Sequence, residues 1–448
     1  MTSYAESGIK IRNNHIIISD AEKLQSPGWD GLVYAAVFGD RDTKIQTRWA
    51  IGEVARLRGI KPASINALYR ARGRGDIDDT FTVPALNLKG MAYDSARAIF
   101  AVMVKHAIGT VIFELAKSEM EYTAQSPEEY TTVILAAAVR EGYRGPIFLQ
   151  ADHTQLKAKS PGVAADNEKA RLEHHIKRCV RADFFNIDID GSTLVDLSLP
   201  DIGAQQASNI EWTSLLTRYI RDIQPVGLPI SVGGEIGHIG DKNSTVEEFE
   251  VFMQGLKKQL GDHEGLSKVS VQTGTSHGGV VSANGTLGKM KVDFSVLEGT
   301  TKAGKKYELG GSVQHGASTL PDSEFHLFPS CQTLEIHLAT GWQNILFDSR
   351  DFPKMLKKDI YQTLLRTKSD DTLTDAQFLY KNRKRAWGDF KQATWDIEEE
   401  VRASLRSEVA HKATTIFAAL NIRDTLPLAI KFALYHNHLH SVHDYQGD

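Results

Sequence analysis

The sequence predicts an α/β fold, a (β/α)8 TIM barrel with helical N- and C-terminal extensions. Three observations carry that expectation. From Thr80 onward, short apolar runs of β character alternate with longer stretches of helical spacing. Eight such units fill about 260 residues, the usual size of this barrel. The runs lack strict apolar–polar alternation, as expected of parallel strands covered on both faces. An open doubly wound sheet is the competing architecture, but no G-x-G-x-x-G follows the first run.

Residues 1–79 read as an N-terminal helical extension. Ile16-Ile17-Ile18-Ser19 is strand-like, and Arg48 to Arg74 has helical spacing broken at Gly59-Ile60-Lys61-Pro62. With its basic end, Arg70-Ala-Arg-Gly-Arg-Gly75, this pair of helices mimics a helix-turn-helix. The acidic overall charge favours a helical decoration packed on the main domain instead. The acidic stretch Asp76 to Asp79 marks the boundary.

Residues 80–345 hold the barrel. The candidate strands are Phe81–Leu88, Thr110–Leu115, Pro146–Ala151, Phe184–Ile189, Leu228–Val232, Lys268–Thr273, Glu308–Gln314 and Thr333–Leu338. Asp94–Ile108 and Pro127–Glu141 are the first two amphipathic helices. Residues 346–448 form a C-terminal helical extension, with few breakers between Asp389 and Ala419. His436, His438, His440 and His443 alternate in the tail, but without a carboxylate or cysteine anchor they read as surface, not as a metal site.

The 448 residues are 41% hydrophobic and 24% charged, an ordinary soluble composition in a chain long enough to bury a core without staples. A net charge of -4 gives no reason to expect nucleic acid or a membrane surface as partner. Cys179 and Cys331 make no C-x-x-C pair and no disulfide framework, which favours a reducing compartment. The first residues lack a basic stretch followed by an apolar run, and no apolar run reaches about 18 residues. A cytoplasmic protein is expected.

The informative residues sit at the C-terminal ends of the candidate strands, where barrels of this kind place their sites. Strand three ends in Gln150-Ala-Asp152-His153, and strand five runs into Gly233-Gly-Glu235-Ile-Gly237-His238. Strand six ends in Gly274-Thr-Ser-His277-Gly-Gly279, and strand seven in Gln314-His315-Gly-Ala-Ser318. Singly, each histidine has a plain explanation as a hydrogen-bonded core residue. Together, His153, Glu235, His277 and His315 converge on one mouth. Imidazoles with one carboxylate are a common zinc set; cobalt, manganese and iron fit the same ligands.

These segments resemble the class II, zinc-dependent ketose-bisphosphate aldolases, which include the fructose- and tagatose-bisphosphate enzymes. The resemblance covers roughly Thr80 to Thr340 and leaves both extensions outside. It implies Asp152 as acid/base and His153, Glu235, His277 and His315 as metal ligands for Zn2+. Phe185-Asn-Ile-Asp188-Ile-Asp190-Gly-Ser192 is similar to the family's fourth strand. Asn87, Gly278, Gly316, Ser318, His337 and Thr340 stand where substrate is bound, with Ser318 and Thr340 implied in holding a phosphate. The family also implies a homo-oligomer, dimer or tetramer.

The chemistry explains these residue types. Carbon–carbon cleavage next to a ketone leaves an enediolate, which a bound zinc stabilises as a Lewis acid. An aspartate takes the C4 hydroxyl proton as the bond breaks. The alternative role of Asp152 is to orient a ligand histidine.

The chain departs from the family pattern at several points. Gln150 replaces the first histidine of His-x-Asp-His, His337 replaces a substrate-binding asparagine, and Ala339 an acidic residue. The loop Gly237-His-Ile-Gly-Asp-Lys-Asn-Ser-Thr245 lacks the family's catalytic carboxylate, leaving Asp241, Glu247 and Glu248 as candidates. Val280-Val281 replaces a phosphate-associated lysine, and Gly316-Ala-Ser-Thr319 a Gly-Gly-Ser-Gly loop. The metal and acid/base core is thus expected intact and the substrate shell altered. An aldolase is the first expectation; a metal-dependent ketose epimerase using His337 as second base, and a non-catalytic regulatory barrel, are the alternatives.

Overall fold

The computed structural model describes residues 4–237, 242–274, 291–369, 372–436 and 441–445. Among them, eight parallel strands close into a barrel: β1 (Val83–Asn87), β2 (Ile112–Ala116), β3 (Gly145–Gln155), β4 (Asn186–Asp190), β5 (Ser231–Glu235), β6 (Lys268–Ser270), β7 (Ser312–Gln314) and β8 (Glu335–Leu338). Closure comes where β8 returns to β1, with Glu335 opposite Val83 and Leu338 opposite Leu86. The expected fold is therefore the observed one. Both faces of each strand are covered, which is why the runs read as continuously apolar.

Local signals fix the helices between them. α1 (Ala92–Lys105) follows β1. α2 (Pro127–Arg140) starts on Ser126, whose hydroxyl accepts from the Glu129 N–H, with proline in the first turn. α3 (Glu168–Arg181) and α4 (Ile202–Ile223) flank β4. α5 (Val246–Leu260) opens with a reciprocal cap between Thr245 and Glu248. None of the described helices is long and apolar enough to cross a membrane.

Several expected bounds shift, for visible reasons. β5 begins at Ser231 and not at Leu228, after a turn in which Gly227 has φ 77°. β7 is confined to Ser312–Gln314 because Glu308 is left-handed and Gly311 has φ 146°. The run Asp389 to Ala419 breaks around Asp396 into Lys391–Trp395 and Glu399–Ala419.

The break at Gly59–Pro62 is not the turn of a helix-turn-helix. Ile60–Ser64 is a strand that lies parallel to the start of β3, with Ile60 opposite Gly145. Leu434–Tyr435 pairs antiparallel with its other edge. Burial of Ile60 and Ala63 and bonds from Ser64 Oγ to Pro229 O (2.6 Å) and from Ile65 N to Asn186 Oδ1 (3.0 Å) tie this part of the extension to the barrel. At the other side, Arg402 and Arg406 of the helix Glu399–Ala419 pair with Asp94 on α1.

One irregularity in the barrel matters for the site. Between Ala151 and Thr154 the β3–β4 register slips by a residue, and His153 takes φ 39°. Successive strand residues normally point to opposite faces. The bulge re-aims His153, so that Asp152 and His153 both reach the same mouth.

Candidate active site

Ionisable side chains and one amide occupy interior strand positions that a barrel usually fills with Val, Ile or Leu. Glu114 is central in β2, Gln150 and Asp152 lie two apart on β3, Asp188 is on β4, Lys268 opens β6, and Glu335 and His337 lie two apart on β8. All are buried. They sort into two layers.

In the lower layer, Lys268 Nζ donates to Gln150 Oε1 (2.7 Å), Asp188 Oδ2 (2.9 Å) and Glu335 Oε1 (2.5 Å). The Tyr69 hydroxyl donates to the other oxygen of Glu335. A side chain at Gly233 would place its Cβ 2.3 Å from Asp188 Oδ1, so the network requires glycine there. Burial alone would raise the Glu335 carboxyl, but Lys268 and His337 pull it down to about 2. Burial dominates at Asp188 and pushes it up to about 6.

In the upper layer, His337 bridges carboxylates. Its Nε2 lies 2.7 Å from Glu335 Oε1, and its Nδ1 lies 3.0 Å from Glu114 Oε2 and 3.2 Å from Asp152 Oδ1. Burial opposes protonation of this ring, yet the surrounding carboxylates, Glu114 first, hold its pKa well above the ordinary imidazole range. Burial, then Asp152, pushes Glu114 up to about 7. The His337 ring stacks on His315 at 4.1 Å.

His315 and His153 face each other through His315 Nδ1 and His153 Nε2, 2.7 Å apart. Their outer nitrogens are occupied: His315 Nε2 meets Ser270 Oγ at 2.9 Å, and His153 Nδ1 meets Asp190 Oδ2 at 3.3 Å. Asp190 is itself held by Gln155 and Ser192. This is how metal-binding imidazoles are oriented, the outer nitrogen fixed by a neighbour and the inner one left to the ion. Atoms of Asp152, His153 and His315 lie within 4.8 Å of one another. The donor types and their orientation fit a divalent ion of zinc-like character.

Glu235 Oε2 approaches His153 from the Nδ1 side, at 3.5 Å, and groups with Asp190 instead of His315. Burial, then Asp190, pushes its pKa up to about 8. His277 and Gly278 lie outside the described residues, as do His238 and Asp241. Glu247 is exposed, and Glu248 caps α5 and pairs with Lys242 at 2.7 Å. Neither lines the mouth.

A cavity of about 410 Å³ opens at the C-terminal ends of the strands. Of the expected residues, Asn87, Asp152, His153, His315, Gly316, Ser318, His337 and Thr340 all line it. Gly316, at φ 77°, starts a tight turn over Ala317–Thr319, and Thr340 opens the helix Thr340–Asp348. That helix lies so close to the turn that a Cβ at 341 would sit 2.5 Å from Ser318 O, which brings Ser318 and Thr340 together. The Asn87 amide is held by Glu119, whose other oxygen pairs with Lys89. Lys89, Lys117, Lys157, Arg171 and Lys384 also line the cavity.

Glu114, Lys268, Glu335 and Lys89 were not anticipated as site residues. The signal was present: an ionisable residue within or at the end of an apolar strand run has to find a partner inside.

The family model for fructose-bisphosphate aldolase class-II matches residues 77–411. Among solved structures, the chain is similar to a fructose-bisphosphate aldolase from Campylobacter jejuni, at 16% identity and TM-score 0.50, over 82% of this chain and 97% of that one. It is also similar to a probable tagatose 6 phosphate kinase from Sinorhizobium meliloti 1021, at 15% identity and TM-score 0.54, over 75% of this chain and 100% of that one. At such identities these structures bear on the fold alone. No curated protein sequence matches the chain.

Proposed function

The chain belongs to the class II fructose-bisphosphate aldolase family, and from that premise we propose that it cleaves and forms a carbon–carbon bond of a phosphorylated ketose. The observation that carries this reading is the bulge that sets Asp152 beside the facing nitrogens of His153 and His315 at the floor of the cavity. His153 and His315 would hold the metal, with Glu235 beside His153 and His277 as the further proposed ligand; when bound, it supplies a Lewis acid for the ketone oxygen.

Asp152 then takes the C4 hydroxyl proton in cleavage and returns it in synthesis. Its burial and its contact with His337 fix the carboxylate in place before substrate arrives. Asn87 and the turn at Gly316 orient the sugar hydroxyls, while both nitrogens of His337 are taken by carboxylates beneath them. For the phosphate, the support is the backbone around Ser318 and the start of the helix at Thr340, together with the cations of the cavity wall. Lys384 stands 5.7 Å over the Tyr122 ring, and burial, then Lys89, lowers its pKa.

The test is a coupled assay for triose phosphate release from fructose and tagatose bisphosphates, with and without a chelator. Release that the chelator abolishes is the expected result. Interconversion of two ketoses without fragments would move the reading to an epimerase, and zinc-loaded protein that turns nothing over would sink it.

A further inference from the structure

An aldol cleavage needs two proton transfers, one from the C4 hydroxyl and one onto the carbon that keeps the bonding electrons. Asp152 accounts for the first. Neither Glu247 nor Glu248 reaches the cavity. Of the carboxylates that line it among the described residues, Glu119 is engaged by Lys89, Asn87 and the Ala116 N–H, and Glu121 by Lys117. Glu114 remains. It is wholly buried, its Oε2 accepts from Gln150 Nε2 at 3.0 Å, and its Oε1 has no hydrogen-bond partner among the described residues.

Building on the aldolase reading, we propose that Glu114, which lines the cavity and keeps one carboxylate oxygen unmatched, is the second acid/base of the reaction. His337 Nδ1, 3.0 Å from Glu114 and 3.2 Å from Asp152, positions the two carboxylates side by side. In cleavage, ionised Asp152 takes the C4 hydroxyl proton, the C3–C4 bond breaks, its electron pair stays on C3, and the aldehyde leaves. Protonated Glu114 then gives its proton to C3, and the ketotriose phosphate leaves. Asp152 is now protonated and Glu114 ionised. Asp152 gives its proton to water and Glu114 takes one from water in the open cavity that both line, which resets the site.

The test reads the C3 step without the C4 hydroxyl: deuterium uptake from solvent into dihydroxyacetone phosphate, followed by NMR on the full-length, zinc-loaded chain. Glu114→Gln is expected to slow uptake on the order of 10²-fold, with zinc content and melting temperature unchanged, and Glu114→Asp to recover part of the rate. Uptake by Glu114→Gln within about threefold of wild type overturns the assignment. Loss of folding in both variants also overturns it, by making Glu114 a scaffold residue. Asp152→Asn should slow cleavage of fructose bisphosphate on the order of 10²-fold yet keep uptake above that of Glu114→Gln. Wild-type protein that neither cleaves nor exchanges defeats the aldolase reading itself; intact wild-type activities with unchanged uptake in Glu114→Gln defeat only the role of Glu114.

Discussion

The two interior layers of this barrel use the same residue types to opposite ends. Below, Lys268 has three donors and meets Gln150, Asp188 and Glu335, while Tyr69 takes the remaining oxygen of Glu335. Above, Glu114, Asp152 and Glu335 gather around the single ring of His337, and an oxygen of Glu114 is left over. The lower layer is buried away from the cavity; the upper one forms its floor. A buried charge serves as scaffold where a lysine neutralises it away from the cavity, and as a reagent where the cavity reaches it.

The sharpest way to break this comparison is at Lys268. Lys268→Met leaves two buried carboxylates uncompensated and should destabilise the fold by about 3–5 kcal/mol in denaturant unfolding. A loss under about 1 kcal/mol would mean that the lower layer is not a scaffold.

Next comes the pH response of Glu335. Its carboxyl lies at about 2 in the folded chain, against an ordinary value of 4.5. A depressed carboxyl contributes stability that is present above about pH 4.5 and is lost as pH falls toward 2. Glu335→Gln should therefore flatten the acid limb of the stability curve by on the order of 3 kcal/mol, even though it lowers the neutral plateau. An acid limb of unchanged slope would place the titrating group elsewhere.

Asp152→Asn probes the upper layer. Turnover should fall on the order of 10²-fold, while zinc stays bound and the melting temperature holds. Near-normal rates would remove Asp152 from the chemistry. The smallest effect is expected at Tyr69→Phe, which deletes one charge-assisted hydrogen bond and should cost about 1.5–3 kcal/mol without changing KM. A raised KM would show that the two layers are coupled.

The barrel was legible because its strands are apolar on both faces, a pattern that survives without knowledge of the partners. Asp152, His153 and His315 were legible because each ends a strand beside glycine or another polar residue. Glu235 shows the limit: its position at the end of β5 was readable, but its approach to the far nitrogen of His153 depends on a bulge that no spacing rule reveals. Gln150 reads as a lost histidine, yet its amide fills three places, accepting from Lys268 and donating to Glu114 and Glu335. Ile60–Ser64 was missed as a strand because a short run between helices resembles a turn until β3 is there to pair with it.

That same segment constrains how the chain reaches its native state. Ile60–Ser64 is sandwiched between Gly145–Ile147 on one edge and Leu434–Tyr435 on the other. During synthesis it emerges long before either neighbour, and its two open edges offer unpaired N–H and C=O groups to any passing strand. Pairings so distant in sequence form slowly, since the intervening loop must close first. Nascent chains paused before residue 434 should therefore be the aggregation-prone species, and a chaperone that shields this one strand would have an outsized effect on yield.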